Sequence, residues 1–274
     1  MGLKSSLPSL RGLRKYWVAA RISARDSSSN HGTIIANLCA IIVTLVALFG
    51  IYTFVFAARG SVQGVTLSMT LWSIGMYTIY WSTGVRNIFR DIAFDVKDGS
   101  VEGVLNKPID YIILVVCKRL GRNTWVFFST SLTAIVILSI FVGPPPVDVT
   151  WLWLAEFLSL ALCGFLLSIF SFSLIGLSAF WLDDNDPVMW IFDKSIMILG
   201  GSIVPVVFFP AWLKAVATWS PMGAMVSFSR AFTGNLALQF PQLIASQILW
   251  CVIMGGLTIF FWRRAKKILS IYGG

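Results

Sequence analysis

The sequence predicts an all-α integral membrane protein with six transmembrane helices and both termini in the cytoplasm, and three observations carry that reading. Across 274 residues, 57% of the side chains are hydrophobic and 12% charged, whereas a soluble domain carries about 25% charged residues. Folded in water, such a chain would leave apolar surface uncovered, so the bilayer has to be its solvent. The apolar residues also fall in long runs, several reaching the ~20 residues that a helix needs to cross. Finally, the basic residues are one-sided. With both termini inside, 18 of the 21 Lys and Arg are cytoplasmic and only Arg59, Lys214 and Arg230 lie outside, the bias that orients membrane proteins. The net charge of +9 is then explained by basic inner loops, with no nucleic-acid partner.

Residues 1–32 carry Lys4, Arg11, Arg14, Lys15, Arg21 and Arg25 against Asp26 alone, and Leu10, Leu13 and Trp17 share one helical face. This pattern predicts an N-terminal interfacial helix lying on anionic headgroups. No short apolar run with a small-residue cleavage site is present, so the segment is not read as a signal peptide. A single transmembrane domain, 33–274, follows, with spans at about 33–58, 65–85, 123–142, 151–181, 187–209 and 242–262. Gly143 and three prolines stop the third span, and the acidic turn at Asp183 stops the fourth. Asp186 as N-cap and Pro187 at the first helical position start the fifth. Arg263, Arg264, Lys266 and Lys267 close the sixth. Between the last two spans, 208–241 is too apolar for a solvated loop and too broken by Pro210, Pro221 and Gly223 to be a span. It reads as re-entrant external helices with Trp212 and Trp219 at headgroup depth. The scattered Cys39, Cys117, Cys163 and Cys251 read as four buried thiols.

The densest charge lies in Arg86–Arg122, which must project into water between spans two and three. Ile88, Ile92 and Val96 recur at every fourth position, one apolar stripe on an otherwise charged helix. Asp98-Gly99-Ser100 breaks that helix, and Lys107-Pro108 sets up the next segment. Asp91, Asp95, Asp98 and Glu102 make an anionic membrane surface unfavourable, so the stripe is expected to dock into a groove on a soluble partner.

Catalytic chemistry is sparse. The chain has no phosphate-binding loop, His31 is its only histidine, and no metal cluster is legible, so no catalytic or metal residue is assigned. One enzymatic alternative survives. Asp91 with Asp95, and Asp183 with Asp184 and Asp186, could hold Mg²⁺ against a diphosphate, as in membrane prenyltransferases. Against it, the interleaved Arg86, Arg90 and Lys97 are expected to pair with the first two acids. A non-catalytic scaffold or channel subunit is the third alternative. On the second span, Thr70, Ser73, Tyr77, Tyr80 and Gly84 form a small and polar stripe that either lines a path or packs against a helix. The same holds for Gly200, Gly201, Ser202 and Pro205 on the fifth.

The run Gly99-Ser100-Val101-Glu102-Gly103-Val104-Leu105-Asn106-Lys107-Pro108 resembles the G-S-L-x-x-x-L-L-[KR]-P stretch of ABC-2 type transporter permeases, with Val101 where a leucine is usual. Pro205, Phe208-Phe209-Pro210-Ala211-Trp212-Leu213, Ser220-Pro221 and Gly234 are similar to that family's P…FFP.WL…PF…G pattern, with Met222 in place of its phenylalanine. The resemblance implies the small six-span permease subunit of an ATP-binding-cassette exporter, itself without a nucleotide-binding domain, in a bacterial inner membrane. ATP and Mg would be held by two separate ATPase subunits. A second permease chain, identical or a sister, would complete a path for a hydrophobic or amphipathic substrate. On this reading, the ATPase-coupling helix comprises Ile88, Asp91, Ile92, Asp95, Val96, Asp98, Gly99, Glu102, Leu105, Lys107 and Pro108. The two small and polar stripes would form the path. Phe208, Phe209, Pro210, Trp212, Leu213 and Trp219 would form an external gate.

Overall fold

The apolar runs become long helices. The computed structural model describes residues 10–57, 60–105 and 107–272, with the backbone alone for 10–12, 105 and 268–272. In chain order the helices are α1 (Leu10–Ser28), α2 (His31–Ala57), α3 (Leu67–Ser82), α4 (Ile88–Lys97), α5 (Ser100–Leu105), α6 (Tyr111–Phe141), α7 (Trp151–Leu177), α8 (Asp186–Leu199), α9 (Ala211–Trp219), α10 (Pro221–Met225) and α11 (Leu236–Tyr272). A short antiparallel hairpin, β1 (Ser61–Val62) with β2 (Val65–Thr66), joins α2 to α3. The segments His31–Ala57, Tyr111–Phe141, Trp151–Phe180 and Leu236–Lys267 are long and apolar enough to cross a membrane. They leave Phe54, Ile140, Leu162 and Val252 largely bare, which is stable only where hydrocarbon is the solvent. Cys39 is likewise exposed, on α2, and the other three cysteines are half-buried, so the four thiols are not uniformly buried as expected.

Several boundaries differ from the expectation. The helix of the third span begins well before residue 123: α6 starts at Tyr111, with the Asp110 side chain capping it by accepting from the Ile113 N–H at 3.1 Å. At ~1.5 Å per residue its 31 residues run to about 46 Å, longer than the ~30 Å hydrocarbon core. Lys118, Arg119 and Arg122 therefore ride on the helix, because charge at an interface ends the apolar run without ending the helix. In the same way α11 extends beyond the expected sixth span at both ends and carries Pro241 inside it. The expected second and fifth spans are the short ones, α3 with 16 residues and α8 with 14. Thr66 caps α3 after the hairpin, and α8 stops at Leu199 before Gly200 and Gly201, well short of residue 209. The N-cap of α8 is Asn185 and not Asp186. Asn185 is buried, and its side-chain amide donates to the Ile175 carbonyl at 3.0 Å, tying the start of α8 to the end of α7.

The core gathers around α7, which packs along α11 and is crossed at its far end by α4. Gly176 permits that crossing: a Cβ there would meet the Ile92 Cβ at 2.8 Å and the Phe89 Cα at 3.1 Å. The helix α1 lies along α6. Here the Tyr16 hydroxyl accepts from the Asp110 N–H at 2.8 Å, and the Trp125 indole donates to the Ala24 carbonyl at 3.0 Å.

Candidate functional site

Two features meet at the end of the molecule where α3 passes into α4. The first is the polar segment itself. Gly84 turns the chain there with a left-handed φ of 67° and lies directly against the Asn123 side chain, so it serves the turn and the packing together. The 3-10 turn Val85–Asn87 then leads into α4.

The apolar stripe of α4 is used inside the chain. Ile88 and Ile92 are completely buried, Ile92 against α7 at Gly176, and Val96 is half-buried. They therefore do not form the partner-docking face. An amphipathic helix satisfies its apolar side equally well on a neighbouring helix of its own chain, and here α7 receives it at Gly176.

The acids of α4 are committed elsewhere than expected. Asp91 accepts from Arg119 of α6 at Nε, 2.6 Å away, and also at Nη2, while Arg122 Nη1 stands 3.6 Å off. Asp95 accepts from the Tyr111 hydroxyl at 2.9 Å, and the Tyr111 ring stacks on Trp262 of α11. The interleaved Arg86, Arg90 and Lys97 do not hold these two carboxylates. Arg86 reaches Asp193 of α8 at 3.5 Å, and Arg90 lies over the Phe89 ring. Arg86 and Arg90 instead share a cavity with Arg119, Arg122 and Asn123 of α6, and the fork of donors that reaches Asp91 comes from Arg119.

What α4 and α5 present outward is a compact tip. Phe94 is 67% exposed, and Lys97, Asp98, Gly99, Ser100, Glu102, Lys107 and Pro108 are exposed around it, while Val101 is buried. The Leu105 side chain lies outside the described residues, as do Asn106 and Arg59. The tip is held from behind by α1, whose Lys15 ammonium donates to the Pro108 carbonyl. Phe94 was missed in the sequence, although a large apolar side chain outside the stripe of an amphipathic helix is the signal that marks it.

The second feature is a crevice of about 560 Å³ between α2, α3 and α8. Its walls are apolar and aromatic, among them Val43, Leu48, Tyr77, Trp81, Met197 and Ile203. Charge is concentrated in Arg86, Asp193 and Lys194, with Arg86 lying over the Trp81 ring at 5.6 Å. Of the nine small and polar residues singled out on the two spans, Tyr77 and Ser202 line this crevice. Thr70 and Ser73 are buried, the Tyr80 hydroxyl bonds Ser168 of α7, and Gly84 meets Asn123. Gly200 lies against Val226 and the Tyr77 ring, and Gly201 and Pro205 are buried in the turn after α8.

The residues assigned to an external gate lie around α9. Phe208 faces Phe56 of α2 at 6.5 Å, Pro210 occupies the N-cap position of α9 without a side-chain bond, and Trp212 is exposed. The Trp219 carbonyl accepts from the Trp250 indole of α11 at 2.8 Å. Buried Gln247 of α11 fastens this segment inward: its amide nitrogen, with two N–H donors, lies 2.9 Å from the Leu160 and Ala224 carbonyls and 3.0 Å from the Ser227 hydroxyl. Among the described residues, no group of three or more His, Cys, Asp or Glu is placed to hold a metal ion.

A family model described as ABC-2 family transporter protein matches residues 41–273. No curated protein matches the chain.

Proposed function

The chain belongs to the ABC-2 family of transporter proteins and is a multi-pass membrane permease; from that premise we propose that it is the transmembrane subunit of an ATP-driven exporter whose ATPase is a separate chain. In this reading α4 is the coupling helix, and two ATPase subunits, holding ATP and Mg²⁺, engage the exposed tip around Phe94. Ile88, Asp91, Ile92, Asp95 and Val96 pass the displacement inward, and Asp98, Gly99, Glu102, Leu105, Lys107 and Pro108 belong to the contacting tip. One observation carries the proposal: α4 is braced at once to α6 through Asp91 and Asp95 and to α7 through Ile92, while Arg86 at its root reaches α8. A push on a tip so anchored moves three helices together, because packed elements shift as units.

The crevice between α2, α3 and α8 is then one half of the path, completed by a second permease chain, identical or a sister. Its apolar and aromatic walls favour a hydrophobic or amphipathic substrate. The six-span topology follows if α3 and α8 complete their crossings with non-helical ends, the hairpin before α3, where Val65 is buried, and the turn at 200–205, where Gly201, Ser202 and Pro205 are buried. The basic α1 is the elbow on the cytoplasmic leaflet of a bacterial inner membrane, and α9 with Phe208, Phe209, Pro210, Trp212, Leu213 and Trp219 gates the outer end. Co-purification of the tagged chain from its native membrane tests this. A stoichiometric ATPase with a phosphate-binding loop is expected, and a chain that purifies alone and transports without ATP would refute it.

A further inference from the structure

The segment between α8 and α11 holds a positive charge with no acid beside it. Arg230, in the 3-10 turn Ser227–Phe232, is 7% exposed. Its Nη1 donates to the Thr218 hydroxyl at 2.8 Å and its Nη2 to the Ala217 carbonyl at 3.0 Å. Both acceptors sit in the last turns of α9, whose helix dipole offers about half a unit of negative charge. A guanidinium carries five N–H donors, so these bonds use only part of it. Burial lowers the Arg230 pKa to about 10, which leaves it cationic at neutral pH. Among the described residues no carboxylate lies within ion-pair distance of it, and the chain has no Asp or Glu at all after Asp193. A buried charge left without a counter-charge is strongly unfavourable.

The guanidinium faces a cavity of about 360 Å³ lined also by Lys214, Gln239 and Gln242. Lys214 and Arg230 are the two basic residues between Lys194 and Arg263, and the fold brings both to this one space. The remaining wall includes Val206, Val207 and Leu243, so cationic and amide donors meet an apolar surface.

We propose that this cavity binds the head of an amphipathic anion, an oxyanion of the phosphate class held by Arg230 and Lys214 with its apolar part along Val206, Val207 and Leu243. A guanidinium fork beside an ammonium suits a tetrahedral oxyanion bearing more than one oxygen acceptor. The site requires neither transport nor a partner chain, so it is tested on the purified full-length protein in a neutral maltoside detergent. Thermal stability is followed against monododecyl phosphate, inorganic phosphate and dodecyltrimethylammonium. Monododecyl phosphate is expected to raise the unfolding midpoint and to do so less at high ionic strength, with inorganic phosphate acting only at far higher concentration. Lys214→Gln, which leaves the bonds from Arg230 to α9 in place, is expected to weaken binding about tenfold, as loss of a charge-assisted contact does. Arg230→Lys keeps the charge but loses the fork, and should weaken it further. Equal binding of inorganic phosphate would identify a free-anion site and overturn the amphipathic ligand. An equal response to dodecyltrimethylammonium, or unchanged binding in both variants, would overturn the site itself.

Discussion

Replacing Asp91 with asparagine removes the charge that ties α4 to α6 and leaves the shape of the side chain intact. The pair is neither fully buried nor free: the side chains of Arg119 and Asp91 are 11% and 22% exposed. Breaking a buried pair from one side costs ~3–5 kcal/mol, and an exposed pair contributes ~0–1 kcal/mol. The two-pronged contact from one guanidinium places this pair between those limits, at about 2 kcal/mol. Asp91→Asn, Arg119→Gln and the double variant form a cycle that isolates the pair, with an expected coupling of about 1–2 kcal/mol. Unfolding by SDS titration in mixed micelles measures it. In proteoliposomes with the ATPase partner, Asp91→Asn should lose most ATP-driven transport while its ATPase still turns over, because the tip remains but its tie to α6 is slack. A coupling below about 0.3 kcal/mol, or full transport by Asp91→Asn, would refute the reasoning.

Two further perturbations separate packing from docking. Ile92→Asp puts a charge at a completely buried position against Gly176 of α7 and should abolish accumulation of folded protein in the membrane, with a penalty of at least about 3 kcal/mol; normal yield by fluorescence size-exclusion would contradict the assigned packing. Gln247→Leu removes the amide whose two N–H donors link α11 to α7 at Leu160 and to the outer segment at Ala224 and Ser227, so it should cost about 1–3 kcal/mol and increase proteolysis or hydrogen exchange in 217–232 before the rest of the chain. Unchanged exchange there would show that the amide is not the fastener.

The long apolar runs were legible because a crossing helix has to be written as a continuous stretch, and α2, α6, α7 and α11 lie where those runs predict. Helix ends at the interface were not. Lys118, Arg119 and Arg122 mark the edge of hydrocarbon, and α6 passes straight through that edge to Tyr111. The short α3 and α8 were overestimated for the opposite reason: apolar residues continue past Leu199, and a glycine pair breaks the helix inside them. On α4 the sequence marked an apolar stripe and a run of acids, but the partner of each was a matter of distance in space. Asp91 finds Arg119, 28 positions away, where Arg86, Arg90 and Lys97 had been expected, and Ile92 finds Gly176 of its own chain, where a groove on a soluble partner had been expected. Periodicity identifies a face and leaves open whether the face meets the same chain or another. Likewise the polar stripe of α3 was real, yet Tyr77 reaches the crevice while Tyr80, one turn on, is spent on Ser168. Arg230 was legible as an outlying charge, and its burial without an acid was not.

The central claim is that the exposed tip of α4 and α5 meets an ATPase. A photo-reactive amino acid placed at position 94, where the native Phe94 ring stands 67% exposed, tests it in the native membrane. Irradiation should yield an adduct with a protein carrying a phosphate-binding loop, lost when the same probe is placed on the lipid-facing side of α2 at position 54. Adducts with lipid alone from position 94, in a preparation that still transports, would contradict the account.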